Sequence, residues 1–281
     1  SIYSDKDGNL FDPFNGKQDL ENGIVNFIGE ADKRIKEDYL RILRYLRFFL
    51  NYSRQQHNSE NIRKLKINIS GILKLSKERL LDELKKIAKP ETLEKLLKDK
   101  ISLEIILMIF PELRNIKIFS KLNSIQKDLL KEKDFIFLLS LMIIDETDNT
   151  DYFLYKFNFS NKDKKRIKSI DNFFKEKIDF KLFTKNNMDR IFYYQGKEVT
   201  LDILSHKIIK SKKADNSLNE LIKHYEKKII PIMPVNADLL MKKYKIPEGK
   251  QLGDKLRIIE DKWVKNNFKI SDEDVDNIVN S

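Results

Sequence analysis

At residues 37–49 the chain reads Glu37-Asp38-Tyr39-Leu40-Arg41-Ile42-Leu43-Arg44-Tyr45-Leu46-Arg47-Phe48-Phe49. Four charged side chains follow one another at three-residue spacing: Asp38, Arg41, Arg44 and Arg47. Apolar side chains fill the gaps between them, and this pattern predicts one buried helix from about Asp32 to Tyr52. A buried helix seldom carries three arginines unless an anionic group is bound to them. The stretch is therefore the first place to look for a binding site.

This charged row has two interpretations. In the first, Asp38 offers an acceptor and Arg41 offers donors, which match the exocyclic amino group and the ring nitrogen of adenine or cytosine. Guanine and uracil present a carbonyl instead of that amino group and are repelled by the carboxylate. Arg44 and Arg47 would then neutralise phosphates. In the second interpretation, the four side chains form a ladder of ion pairs on a solvated helix face. Spacing alone does not separate the two.

The composition favours a mostly helical protein with short connections, since 41% of the 281 residues are hydrophobic, 35% are charged and only 8 are Gly and 6 Pro. The net charge of +11 favours a polyanionic partner, a nucleic acid or a membrane surface. An AT-rich genome would also raise the lysine content, so the charge alone identifies no partner. The absence of cysteine excludes disulfides and thiolate sites. No apolar run approaches the roughly 18 residues of a spanning helix, and we expect a cytoplasmic protein.

The first 30 residues differ from the rest. Apolar pairs on either side of Asp7-Gly8-Asn9 predict a β-hairpin. A short helix at Gly16–Asn22 and a strand at Ile24–Ile28 would follow it. After Ala31 the pattern is helical to the end of the chain. It includes an amphipathic helix at Ile62–Leu75 and a helix that Ser76 caps and that runs to about Lys89.

Four stretches resemble motifs of the class II nucleotidyltransferases, the family of tRNA CCA-adding enzymes and the related bacterial poly(A) polymerases. They are Asp12–Leu20, which looks like the segment closing the catalytic head; Glu37–Phe48, the nucleotide-selecting motif; Leu75–Leu84, the neck motif; and Pro234–Leu240 with Leu252, Gly253 and Trp263, a tail segment. Asn15 stands where the family usually has Gly, and Asn26 where it commonly has Arg. The turn at Asn15 can survive because Asn also adopts left-handed backbone.

The resemblance implies a mainly α fold, in which a small α/β remnant of a nucleotidyltransferase head precedes an all-helical neck, body and tail. It places the edge of the head at residues 1–30, the neck at 31–89, the body at 90–230 and the tail at 231–281. In this family the head begins with a Gly-rich segment and an Asp-x-Asp pair that binds two metal ions, and the sequence here reads as starting after them. Asp5 and Asp7 read as solvated turn acids. We therefore expect a truncated chain that is inactive alone.

By the same resemblance, Asp38 and Arg41 read the base edge, and Arg44 and Arg47 contact the nucleotide, mainly its phosphates. Glu37, Glu78 and Arg79 support these side chains. No catalytic or metal-binding residue is expected in the chain. Mg²⁺ would be bound by the missing head, ATP and CTP would be the substrates, and the 3′ end of tRNA would receive CMP and AMP.

Several alternatives stay open. A poly(A) polymerase adding only AMP has a similar neck motif, and a non-catalytic RNA-binding module would lack the head altogether. Two lysine-rich runs, 162–168 and 210–213, are either solvated faces or contacts to RNA phosphates. The three histidines, His57, His206 and His224, are scattered and suggest no ligand cluster. The sequence predicts no oligomeric state.

Overall fold

A computed structural model describes residues 2–176, 183–211 and 216–280 of the chain. It divides into two compact units, Ser1–Asn172 and Phe173–Ser281. The predicted mainly α fold is confirmed: across the described residues, sixteen α-helices accompany a single two-stranded sheet. The finer division into head edge, neck, body and tail stays a prediction.

The amino-terminal hairpin is confirmed. Strand β1 (Tyr3–Ser4) pairs antiparallel with β2 (Leu10–Phe11). The Asp5 carboxylate accepts the backbone N–H groups of Asp7 and Asn9 at 2.9 and 2.8 Å, which closes the turn. Local hydrogen bonding by Asp is a common way to stabilise such turns.

The segment after the hairpin is partly as predicted. Helix α1 spans Gly16–Asn22, and Asn15 before it is left-handed with φ 53°. The predicted strand at Ile24–Ile28 is wrong, because this segment has irregular backbone. Phe27 in it stacks on the ring of Tyr45, with the ring centroids 5.4 Å apart. Its apolar side chains are used in packing against a helix instead of in a sheet.

Ten further α-helices begin after this segment in the first unit. The helices are α2 (Ala31–Glu37), α3 (Arg41–Tyr52), α4 (Ser59–Ile67), α5 (Lys77–Ile87), α6 (Pro90–Lys98), α7 (Lys100–Ile109), α8 (Ser124–Lys131), α9 (Phe135–Ile143), α10 (Asn149–Lys156) and α11 (Asn161–Lys175), the last ending just beyond the unit's limit. Ser76 caps α5 as predicted, by accepting the Arg79 N–H. The predicted helix at 62–75 ends earlier, at Ile67, and a 3₁₀ segment follows at Ile69–Lys74. The core of the unit includes α9, whose residues Phe137 to Ile143 are all buried.

The second unit contains the remaining helices, α12 (Lys185–Lys210), α13 (Asn216–Lys227), α14 (Ala237–Tyr244), α15 (Lys250–Lys265) and α16 (Asp272–Asn280). Helix α12 is interrupted at Gly196, where φ is 81°. Asn236, in the quoted tail segment, caps α14 by accepting the Leu239 N–H at 2.9 Å. A small core of Leu240, Leu252, Ile259 and other apolar side chains joins the last three helices.

The single helix predicted from Asp32 to Tyr52 is wrong, because the chain breaks between α2 and α3. Asp38 has extended backbone, and its side chain accepts the Leu40 N–H at 3.2 Å. Asp competes in this way with helical hydrogen bonding, which is why it favours helix ends over helix interiors. The next residue, Tyr39, lies against Gly71. Asp38 and the three arginines therefore do not share one helix.

The contact between Tyr39 and Gly71 gives a test of this break. A Cβ atom added at Gly71 would lie 2.0 Å from the Tyr39 ring, so Gly71→Ala must displace that ring. We expect the free energy of unfolding to fall by about 1–3 kcal/mol, the usual cost of overpacking. Urea denaturation followed by circular dichroism measures it.

Gly253→Ala is the matched control, since no atom lies within 4 Å of a Cβ added at that position in α15. This change should leave stability equal or raise it by up to about 1 kcal/mol, because Gly is a poor helix former. Equal effects of the two substitutions would contradict the close packing of Tyr39 on Gly71.

Candidate functional site

The carboxylate of Asp38 lies between two arginines. Arg79 on α5 donates through Nη2 to both carboxylate oxygens, at 3.0 and 2.9 Å. Arg44 on α3 lies on the other side, with Nη1 3.7 Å from Oδ2. The Asp38 side chain is 22% exposed. The break between α2 and α3 thus places this carboxylate where helices α3 and α5 both reach it.

Arg41 is paired with Glu37 and not with Asp38. Its Nη1 donates to Glu37 Oε2 at 2.7 Å and to the Arg34 carbonyl at 2.5 Å. Glu37 also accepts from Arg34 Nη1 at 2.5 Å. The hydrogen bond from Arg41 lowers the pKa of the Glu37 carboxyl below its usual value. Glu37 therefore holds two guanidinium groups together at the end of α2.

Arg47 is held by a carboxylate that the sequence reasoning did not select, Glu83. The Glu83 side chain is 2% exposed and accepts from Arg47 Nε at 2.9 Å and from Lys86 Nζ at 2.9 Å. Arg44 Nε lies 3.6 Å from the same group. Burial raises the pKa of Glu83, but the hydrogen bonds from Lys86 and Arg47 outweigh it and leave the pKa below its usual value.

A signal for Glu83 was present in the sequence. Leu80, Glu83, Leu84 and Ile87 are spaced as one face of a helix, and all four are buried on α5. A carboxylate on such a face requires a cationic partner. Glu78 of the same motif accepts instead from Asn158, at 3.3 Å, and its supporting role stays a prediction.

A cavity of about 250 Å³ opens beside these side chains. Three guanidinium groups line it, those of Arg34, Arg41 and Arg44, and its apolar wall includes Phe27, Tyr45 and Phe48. Arginine stays charged under all ordinary conditions and matches phosphate oxygens in pairs. The combination of flat apolar rings and guanidinium groups suits an anionic ligand that carries a ring.

The structure therefore separates the predicted row. Arg41 and Arg44 meet at the cavity, whereas Asp38 and Arg47 are not among its lining residues. Arg34 joins the cavity although the sequence reasoning did not select it. The four side chains do not form a ladder of ion pairs along one helix. Arg41 pairs with Glu37, Arg47 with Glu83 and Asp38 with Arg79, and these partners lie outside α3. The roles of these side chains in binding a nucleotide stay predictions.

The aromatic wall is held from behind by His57. The Tyr45 hydroxyl lies 3.2 Å from His57 Nδ1, and His57 Nε2 lies 2.9 Å from Asp99 Oδ2. The imidazole also stacks on Phe49, with the ring centroids 3.4 Å apart. Burial lowers the pKa of His57, although Asp99 opposes the shift. His57 serves as a packed link between α3 and α7.

In residues 2–176, 183–211 and 216–280, no three Asp, Glu or His side chains come together as a metal site requires. Within the same ranges, every helix is too short or too polar to cross a lipid bilayer.

The lysine-rich runs are partly neutralised. Arg166 donates to both oxygens of Asp134 at 2.6 and 3.0 Å, and Lys168 lies 2.9 Å from Asp151. Two members of the second run, Lys212 and Lys213, lie outside the described residues. The first run is therefore less free to contact a polyanion than its sequence indicates.

Comparison with known proteins finds similarity to tRNA nucleotidyltransferases. The family model "tRNA nucleotidyltransferase domain 2" matches residues 128–275. The human protein "CCA tRNA nucleotidyltransferase 1, mitochondrial" is 28% identical over 290 residues, which cover 98% of this chain and 62% of the relative. A "CCA-adding enzyme" of Streptococcus agalactiae is 28% identical over 264 residues, 91% of this chain and 62% of the relative. The chain thus spans about three fifths of the length of these curated relatives.

The fold is similar to that of a solved structure. The crystal structure of the Bacillus stearothermophilus CCA-adding enzyme in complex with CTP matches with a TM-score of 0.62 and 18% sequence identity. The match covers 95% of this chain and 67% of the other. At this identity the likeness concerns the fold.

The buried position of Glu83 predicts a stability effect that depends on pH. Glu83→Gln removes the charge that Arg47 and Lys86 share, and we expect it to lower the free energy of unfolding at pH 7 by about 1.5–3 kcal/mol, the contribution of a hydrogen bond to a charged group. The folded pKa of Glu83 lies below its usual value of 4.5. The stabilisation is therefore complete above about that pH and is lost as the pH falls through the folded pKa. The stabilities of parent and variant should therefore converge at low pH, and denaturation curves between pH 7 and 3 measure this.

Glu94→Gln is the control, because Glu94 is 40% exposed and pairs with Lys98 and Lys127 at the surface. Exposed pairs contribute at most about 1 kcal/mol. A Glu83→Gln variant no less stable than the Glu94→Gln variant would refute the structural role of Glu83.

Proposed function

The chain belongs to the tRNA nucleotidyltransferase family of class II CCA-adding enzymes, and we propose that its protein adds CMP and AMP from CTP and ATP to the 3′ end of tRNA. The observation that carries the proposal is the cavity lined by Arg34, Arg41 and Arg44, of which Arg44 lies 3.7 Å from the Asp38 carboxylate. The chain would hold the nucleotide-selecting part and much of the RNA-binding part. The names of its relatives support this activity.

Asp38 and Arg41 would read the base edge. A carboxylate has about four acceptor positions, and Asp38 uses some of them for Arg79 and the Leu40 N–H. One further acceptor position can receive the exocyclic amino group of adenine or cytosine. The carbonyl that guanine or uracil presents there would meet the same carboxylate unfavourably. Selection of A and C would then follow from one fixed carboxylate.

Arg44 and Arg47 would contact the nucleotide, mainly its phosphates. Arg44 is well placed for this, since it lines the cavity and its side chain is 43% exposed. Arg47 is bound to Glu83, so it would act at the edge of the site. Arg34 adds a third guanidinium group at the cavity. Bidentate binding by several arginines is a common way to hold a triphosphate.

Three side chains would keep the reading groups in place. Glu37 fixes Arg41, and Arg79 fixes Asp38, through the hydrogen bonds described above. Glu78 would act more remotely, near the start of α5, where it accepts from Asn158. Precise positioning matters because base selection depends on hydrogen bonds that tolerate little displacement.

Catalysis would require a part of the protein outside these residues. By family resemblance, Mg²⁺ would bind to carboxylates of the head, and such ions stabilise the developing charge in nucleotidyl transfer. We propose that the chain by itself binds nucleotide and RNA without joining them. We also propose a cytoplasmic location, although one relative described above is named mitochondrial.

The complete protein tests the activity. Incubated with tRNA lacking its 3′ CCA, CTP, ATP and Mg²⁺, it should add one CCA and stop. A long tract of A from ATP alone would instead identify a poly(A) polymerase. If the complete protein adds no nucleotide to RNA, the remaining interpretation is a non-catalytic RNA-binding module.

Asp38→Ala tests the reading of the base. In the complete protein it should reduce discrimination of ATP and CTP against GTP and UTP by on the order of tenfold or more, since a hydrogen bond to a charged group contributes about 1.5–3 kcal/mol. Single-turnover incorporation of each nucleotide measures it. Asp128→Ala removes an exposed carboxylate that pairs with Lys131 and should leave selectivity unchanged. Equal selectivity of all three proteins would refute the role of Asp38.

Arg44→Ala tests the binding of phosphates. It should weaken the binding of all four nucleotides by a similar factor, about tenfold, because the lost contact is to phosphates that every nucleotide carries. Calorimetric titration of the 281-residue chain with each nucleotide gives this ratio. A loss confined to one base would show that Arg44 reads the base instead.

A further inference from the structure

A second positively charged surface lies beside the end of α5, the start of α6 and the start of α9. It is a groove of about 520 Å³, lined by the four lysines Lys85, Lys86, Lys89 and Lys133. Its floor includes Pro90 and Phe135. Asp82 is the one acidic side chain among the described lining residues. This lysine groove was not apparent from the sequence, because its members come from segments almost 50 residues apart.

The lining of the lysine groove carries four lysines and one carboxylate. Lys85, Lys86 and Lys89 are exposed. Lys86 pairs with Glu83, which already binds Arg47. Four ammonium groups around one lining carboxylate give a surface that attracts a polyanion.

The lysine groove and the arginine-lined cavity are linked through the buried side chain of Glu83. Lys86 of the groove and Arg44 of the cavity approach the same oxygen of Glu83, at 2.9 and 3.6 Å. A strand lying in the groove would therefore end close to the side chains proposed to hold the incoming nucleotide. A polymer whose 3′ end must meet a nucleotide needs such proximity.

We propose that the lysine groove binds the sugar-phosphate backbone of the RNA strand that carries the 3′ end. The inference rests on the function proposed above and extends it to a named RNA contact surface. Lysines at intervals along the groove can each contact a phosphate. Phe135 and Pro90 provide an apolar floor against which a ribose or base can lie. An acidic peptide shares the charge but has no need to meet the nucleotide cavity.

The variant Lys85→Gln/Lys89→Gln/Lys133→Gln tests this assignment in the 281-residue chain. Its binding to fluorescein-labelled tRNA without the 3′ CCA is measured by fluorescence anisotropy at several salt concentrations. We expect the Kd to rise by on the order of tenfold or more at about 0.1 M salt, and the slope of log K against log salt to flatten by about 2, since each lost phosphate contact contributes about 0.7–0.9. Binding of CTP should be unchanged.

Two matched variants control for charge and for folding. Lys100→Gln/Lys117→Gln/Lys121→Gln removes three exposed lysines of the same unit and should change the Kd by less than about threefold. Replacing Lys85, Lys89 and Lys133 by Arg keeps the charge and should preserve binding. An equal loss in the control triple, or unchanged binding after loss of the groove lysines, overturns the proposal.

Competition identifies the partner. Unlabelled tRNA should displace the labelled RNA far better than polyglutamate of equal total charge, and equal displacement would overturn RNA as the ligand. If the chain binds CTP but no tRNA, the proposed RNA binding by the lysine groove is wrong and the nucleotide site is unaffected. If the chain binds tRNA through the groove but binds no nucleotide, the proposed nucleotide site is wrong and the groove assignment stands.

Discussion

A carboxylate shielded from water must be matched by cations, and Glu83 imposes this constraint on the centre of the first unit. It draws Arg47 and Lys86 to one point and brings Arg44 close to it. Helix α3 is thereby turned so that its arginines face α5 at one end and the cavity at the other. Glu37 holds Arg41 at the opposite end of the row. The candidate site is thus a consequence of how one acidic side chain is satisfied.

The features that could be predicted from the sequence depend on local chemistry. The hairpin follows from the Asp and Gly residues of its turn, and α5 begins at Ser76 because a hydroxyl can cap it. The break at Asp38 could not be predicted, because apolar periodicity continues through Tyr39 and Leu40. The contacts that decide it come from Arg79 and Gly71, more than 30 residues away. Periodicity describes which residues are buried and not whether the backbone between them is continuous.

The site shows the same limit. Arg41 and Arg44 of the predicted row line one cavity, since they are one turn apart on α3, and their roles toward a nucleotide stay predictions. Arg34 and Glu83 were not predicted because their contacts form only in the folded chain. Arg34 lines the cavity, and Glu83 pairs with Arg47 of another helix. The strand expected at Ile24–Ile28 failed for a related reason: its apolar residues fit a sheet equally well, but Phe27 packs on Tyr45 of α3. Pattern identified the right helix, and packing determined which side chains work together.

The charges around Asp38 and Glu83 do not cancel. Within the part of the chain that the structure describes, the carboxylates of Glu37, Asp38 and Glu83 are shared by six cationic side chains: Arg34, Arg41, Arg44, Arg47, Arg79 and Lys86. Like charges held this close repel one another and raise the free energy of the folded region. An anion that enters is therefore a counterion that relieves self-repulsion as well as a ligand that makes contacts. The region should thus become more stable as ionic strength rises, the reverse of what ordinary surface ion pairs show.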